Sequence, residues 1–200
     1  MISAYNHSVH DDPLVRAYLA IAMGSTKDNY YASELIKGLQ DESRESRLAA
    51  IQAVGMVKAN SSVDNLISIL NTSDYQDERL AATMSLGFIG NPKSASTLIE
   101  LLEDNEPNIR WDAAIALAKM GDKSCIPVLR NLMEREYLET FPELDQNEVN
   151  KVMMTAIQAS TIIKDAVFEE KLLDLARSDN NLTIRDAAIK TLQRTYDRMI

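Results

Sequence analysis

Asp77-Glu78-Arg79-Leu80-Ala81-Ala82-Thr83-Met84-Ser85-Leu86-Gly87-Phe88-Ile89-Gly90 is the stretch that decides the fold. Its apolar and small side chains recur at offsets of three, four and seven residues, along one face of a helix. The arginine within it comes back: Arg16, Arg47, Arg79 and Arg110 follow one another at intervals of 31, 32 and 31 residues. Three residues after each stands Leu19, Ala50, Ala82 or Ala113, and seven after stands Met23, Val54, Leu86 or Leu117. Eight after come Gly24, Gly55, Gly87 and Ala118, a column of small residues that close approach of a neighbouring helix would require. Gly90 and Gly121, eleven after, are placed to end their helices in the left-handed conformation. A period of this length marks a repeat array rather than a closed globular fold.

Each unit adds a second helix, over residues 32–39, 63–70, 95–102 and 125–133. Their shared apolar positions read Leu35/Ile36/Leu39, Leu66/Ile67/Leu70, Leu98/Ile99/Leu102 and Val128/Leu129/Leu132, one stripe per helix. Pro13 and Pro107, each just after an acidic residue and three before an arginine, suit the first turn of a helix. Pro127 suits the opening turn of a second helix.

The fifth unit breaks the pattern. Val152 stands where the arginine is due, 42 residues after Arg110, so roughly ten extra residues lie in one connection, a place where repeat arrays accept insertions. Thr155, Ala159 and Ser160 then take the small columns, a second helix follows over residues 166–177, and Arg185 opens a sixth first-type helix with Ala188 and Leu192 in register. The inserted segment, about 134–146, carries Glu134, Glu136, Glu139, Glu143 and Asp145 beside Arg135, Tyr137, Leu138 and Phe141. Both end units are ragged, which predicts that the array continues beyond these residues or that its end helices dock on something.

Composition bounds the function. The chain of 200 residues is 46% hydrophobic and 26% charged, with only 6% aromatic residues, as closely packed helices prefer. The longest apolar run, residues 17–23, falls far short of the roughly 20 needed to cross a bilayer, and residues 1–7 lack the pattern of a secretory signal. No membrane association is expected, and the location that follows is cytoplasmic. A net charge of −9 and a pI of about 4.8 disfavour a nucleic-acid partner and favour a partner with a basic surface.

The Asp77–Gly90 string, the matching segment over residues 41–55, and Asn105-Glu106-Pro107-Asn108-Ile109-Arg110-Trp111-Asp112-Ala113-Ala114 together resemble HEAT repeats, closest to the short type of the phycobilin lyase subunits. The resemblance covers residues 11–200 apart from the insertion. It implies an all-α fold: a single domain over 1–200 forming a right-handed α-solenoid of about six helical hairpins, incomplete at one or both ends. First helices would form its convex side and second helices its concave side, with a protein-binding role.

Candidate chemistry is sparse. His7 and His10 are the only histidines, so no metal cluster is expected; the HEAT-type hydroxylase, whose metal needs paired His-Glu motifs, is thereby set aside. Cys125, in a column read as Ala32, Val63 and Ala95, reads as a buried small residue, since no histidine stands near it in sequence to make it a nucleophile. Trp111 shares a column with Ala17, Leu48 and Leu80, which favours packing over ligand stacking. Arg16, Arg47, Arg79, Arg110 and Arg185 read as a structural ladder bonded to acidic side chains and helix ends, because a binding site rarely needs one residue in every unit. The alternative is an anion ladder along a groove.

Second-helix side chains outside the apolar stripe, namely Glu34, Lys37, Asn65, Ser68, Thr97, Glu100, Arg130, Lys171 and Asp174, share no type and no charge, which suits one particular protein partner. The expected function is therefore a non-catalytic scaffold or adaptor, without cofactor. It would grip another protein through the groove and the insertion, with Glu100, Arg130, Glu134, Glu136, Tyr137, Leu138, Phe141 and Glu143 as contact residues. Two alternatives come from the resemblance: a phycobilin-lyase-like subunit holding a chromophore and its acceptor protein, and a HEAT-like DNA glycosylase, whose basic concave surface has no counterpart in this composition.

Overall fold

The structure, a computed structural model, describes residues 12–198, and among them are twelve α-helices and no strand. First helices are α1 (Pro13–Ser25), α3 (Arg44–Met56), α5 (Gln76–Ile89), α7 (Pro107–Lys119), α10 (Gln146–Ser160) and α12 (Leu182–Tyr196). Second helices are α2 (Ala32–Gly38), α4 (Val63–Thr72), α6 (Ala95–Glu100), α8 (Ile126–Asn131) and α11 (Ala166–Ser178), and a single turn, α9 (Arg135–Leu138), lies in the inserted connection. The architecture is an all-α solenoid of helical hairpins. Two compact units divide the chain, one ending at Ala116 and the other beginning at Leu117.

Local chemistry starts each helix where the repeat needs it. Asp12 accepts the Leu14 N–H at 2.9 Å and Pro13 opens α1, while Asp145 and Glu148 close a reciprocal capping box on α10. The small column has its expected cause. A Cβ placed on Gly55 would lie 2.6 Å from Ser85 Oγ and 2.8 Å from Ser85 Cα, so α3 and α5 touch backbone to backbone there. Helix ends also repeat: Lys27, Lys58, Gly90 and Gly121 all hold positive φ, at 56°, 51°, 67° and 77°. Only the last two are the residue that this conformation favours.

In the first unit the core is built from Met23, Leu35, Ile51, Val54, Leu66, Leu86 and Leu98, all fully buried. In the second it is built from Leu129, Leu132, Met133, Ile157, Phe168, Leu172 and Leu192. Each such side chain contributes about 1.5–3 kcal/mol through its removal from water.

Two registers differ from the sequence reading. Every second helix from α2 to α8 is entered through a 3-10 turn, Asn29–Tyr31, Asn60–Ser62, Pro92–Ser94 and Lys123–Cys125. Cys125 therefore shares its column with Tyr31, Ser62 and Ser94, not with Ala32, Val63 and Ala95. Ser62 and Ser94 hydroxyls donate to the carbonyls of Ala59 and Asn91 at 2.7 Å, and the Cys125 thiol donates to the Asp122 carbonyl at 3.1 Å. The same one-residue shift aligns Leu129 and Met133 of this repeat with Leu35 and Leu39, and it puts Arg130 in the column of Ile36, Ile67 and Ile99. In α10, Thr155 faces solvent and bonds the Lys151 carbonyl at 2.9 Å, while Ala156 and Ile157 are buried. The core register there runs one residue later than Val152 predicts, through Met153.

Candidate functional site

The recurring arginines are engaged by the loops between repeats. Arg16 grips Asp41 through two parallel bonds, Nε to Oδ2 at 2.7 Å and Nη2 to Oδ1 at 2.9 Å. Arg47 reaches forward to Glu78 at 2.9 Å and back to the Asp41 and Glu42 carbonyls at 2.9 and 3.0 Å. Arg79 pairs with Asp104 and donates to the Leu70 carbonyl at 3.2 Å. Arg110 donates to the Asp104 and Asn105 carbonyls at 2.7 and 3.1 Å, and Arg185 to the Asp179 carbonyl at 2.5 Å. The acids have a second task. Asp41, Asp104 and Asp179 each stand six residues before an arginine and accept the N–H two residues on, from Ser43, Glu106 and Asn181, at 2.9, 2.9 and 2.8 Å. Burial pushes the Asp41 carboxyl upward, but the Arg16 bond, the Ser43 N–H and the charges of Arg16 and Arg47 together hold it below the usual carboxylate range.

Asp179 has no arginine of the preceding first helix to meet it, because that helix carries none at Val152 or Met153. Arg135, from the inserted turn α9, takes the part instead. Its Nη2 donates to Asp179 Oδ1 at 2.8 Å and to Asn150 Oδ1 at 3.0 Å, and the Asp179 side chain is only 3% exposed. The signal for this lay in the sequence as the acid column Asp41, Asp104, Asp179; reading the arginines alone left Arg135 as one basic residue among five carboxylates.

The insertion residues separate into two groups. Leu138 is 0% exposed and belongs to the core of the second unit, which removes it from the contact residues expected of a partner surface. Glu134 is bound by Lys171, with Nζ to Oε2 at 2.5 Å, and by Arg130 at 3.5 Å. Tyr137 and Phe141 stack edge to face with centroids 5.3 Å apart and are half-buried. Glu136, Glu139 and Glu143 face solvent.

On the second helices of the first unit, Ile36, Ile67 and Ile99 each follow a fully buried leucine, yet the first two are half-buried and Ile99 is 39% exposed. The apolar stripe is therefore wider than the core uses, and one aliphatic group per repeat faces outward. Among the polar residues predicted beside it, Lys37, Ser68 and Glu100 are exposed, Asn65 and Thr97 are half-buried, and Glu34 is a correction: it is 7% exposed and held by Lys37 at 2.8 Å. A cleft of about 330 Å³ opens beside α4, lined by Gln40, Asn65, Ser68, Thr72 and the Arg47–Glu78 pair. In the second unit Arg130 and Asp174 are exposed, while Lys171 is largely covered.

Trp111 is 6% exposed, which places it in the packing rather than on a ligand face. Cys125 is fully buried, and burial with the nearby Asp122 charge pushes its thiol up to about 12. His7 and His10 lie outside the described residues. No described helix is long and apolar enough to cross a membrane.

These features can be set beside known proteins. A family model described as HEAT repeats matches residues 6–87 and again 63–140, more than half of the chain, and the chain belongs to that family. None of the curated proteins matches it. Among solved structures it is similar to the complex of CpcE and CpcF of phycocyanin lyase from Nostoc sp. PCC7120. That match has a TM-score of 0.53 at 22% identity over 80% of this chain and 75% of the other, a likeness of fold.

Proposed function

We propose that this HEAT-repeat chain is a non-catalytic scaffold that binds another protein, using the second-helix face of its first unit and the exposed part of the 134–146 insertion. The observation that carries the reading is the column Ile36, Ile67 and Ile99: three aliphatic groups in equivalent positions, left partly in water where the fold has no use for them. A polar surround of Lys37, Ser68 and Glu100 gives that column the make-up of an interface, an apolar centre with a hydrophilic rim. The arginine ladder fits a structural role in this scheme, since its guanidinium groups are taken by neighbouring carbonyls and carboxylates of the loops and helix ends. That the similar structure is a complex of two proteins also favours a protein partner. Affinity capture from the native cell with the wild-type chain and with an Ile36→Ser/Ile67→Ser/Ile99→Ser variant tests the reading. A partner should be lost from the variant while its thermal unfolding stays close to wild type; capture undiminished by the three changes would sink it.

A second reading is favoured by the likeness to the phycocyanin lyase complex: a phycobilin-lyase-like subunit that holds a chromophore and its acceptor protein. Mixing the purified chain with a free bilin checks it. Absence of any induced visible absorbance or circular dichroism removes this alternative.

A further inference from the structure

Arg135 does more than meet Asp179. Its Nε is buried and has no hydrogen-bond partner among the described residues, and the side chain lines two clefts at once. The larger, of about 420 Å³, is walled by Glu139, Gln146, Asn150, Asn180 and Asn181, and falls within the size range of small binding sites, about 300–1,000 Å³. Gln146 is engaged at both ends, accepting from Arg135 Nη1 at 3.4 Å and donating to Glu139 Oε1 at 3.2 Å, but two other amides each keep a donor free. Asn150 Oδ1 is used by Arg135, and Asn181 Oδ1 is used by the Thr183 and Ile184 N–H groups at the start of α12. The Nδ2 groups of Asn150 and Asn181 make no hydrogen bond among the described residues and remain as donors for a ligand.

Charge decides what that ligand is. Asp179 offsets Arg135 and Glu134 offsets Lys171, which leaves Glu139 as the uncompensated charge of the larger cleft, while Glu136 and Asp174 in the smaller one carry no ion pair among the described residues. A phosphate or carboxylate would meet net repulsion. A peptide backbone, with carbonyls at regular spacing and no charge, suits amide donors, and a cationic side chain suits the acids.

We propose that the cleft around Arg135 holds an extended, lysine- or arginine-bearing segment of a partner protein, its main-chain carbonyls bound by the Asn150 and Asn181 amides and its cation by Glu139. The inference rests on the reading that the chain binds a protein, but not on the isoleucine column, which lies in the other unit.

The test is an NMR titration of the ¹⁵N-labelled full chain with three blocked eight-residue peptides of alternating sequence: Ala-Lys, Ala-Ser and Ala-Glu. The Ala-Lys peptide should shift the side-chain amide signals of Asn150 and Asn181 saturably. The Ala-Ser peptide should shift the same signals at least fivefold more weakly, and the Ala-Glu peptide should leave them in place. Glu139→Gln, which keeps an oxygen to accept from Gln146 Nε2 as Glu139 does at 3.2 Å, should weaken the Ala-Lys peptide at least fivefold without changing thermal unfolding. Shifts confined to the Ile36, Ile67 and Ile99 region would overturn the assignment of this cleft while leaving the scaffold reading standing. Equal response to the acidic peptide, or no response of the two asparagines to any peptide, would overturn it as well.

Discussion

Arg135 Nη2 lies 2.8 Å from Asp179 Oδ1, so a carboxylate that first-helix arginines meet in the repeats of Arg16 and Arg79 is met here by an arginine of the inserted turn. The insertion is therefore tied into the repeat lattice. Arg135→Met leaves a nearly covered carboxylate without its cation, at an expected cost of about 2–4 kcal/mol, somewhat below the fully buried case. Adding Asp179→Asn should recover part of that loss. Denaturant unfolding of the two single variants and the double variant measures the coupling, and strictly additive losses would refute the pairing.

Stability should fall in acid through Asp41. Its folded-state value lies below that of the unfolded chain, so between the two the unfolded chain binds more protons and stability rises with pH. The contribution is complete above the unfolded carboxylate value, about 3.9, and is lost as pH drops through the folded value. Asp41→Asn should thus flatten the acid limb of a melting-temperature profile taken between about pH 2 and 5. An unchanged slope would show that Asp41 does not carry this linkage.

Lys58 sits at φ 51° in the column that later repeats fill with glycine. Lys58→Gly relieves a left-handed conformation that costs a side-chain-bearing residue about 1 kcal/mol, and the side chain is exposed, so little packing is lost. A rise in melting temperature is expected, since glycine is the residue that this helix-end conformation favours; a fall would refute the strain at Lys58.

Cys125 should be inert. With its thiol pushed up to about 12 and no exposure, it should not react with a disulfide reagent at pH 8 until the chain unfolds. Cys125→Ser puts in the residue that Ser62 and Ser94 already use for the same turn, so stability should change by less than about 1 kcal/mol. Rapid labelling of the folded chain would contradict the burial.

Most of the architecture was legible in the sequence because the repeat imposes it at every level. The arginine interval, the small column at Gly24, Gly55 and Gly87, and the apolar stripes all mark backbone approach and helix faces that recur with the fold. What was not legible came from features that period alone cannot carry. The column of Cys125 was read one residue out of step, because the apolar stripe does not mark where the three-residue 3-10 turn ending at Tyr31, Ser62, Ser94 or Cys125 gives way to the helix. Leu138 read as a free apolar group, since nothing local says that a four-residue helix folds it inward. The Arg135–Asp179 pair joins residues 44 apart by a path that no other repeat uses, and only the acid column hinted at it.

The links around Arg47 have a mechanical consequence. Arg16 holds Asp41, Arg47 holds the Asp41 carbonyl and Glu78, and Ser73 donates to Glu78 at 2.7 Å, so one unbroken chain of polar contacts threads three successive repeats. Tension applied along the first unit loads these contacts in series with the helices that carry them. Links in series part at the weakest, so Arg47→Met, which removes the middle link, should lower the force at which these hairpins separate in a single-molecule pulling experiment.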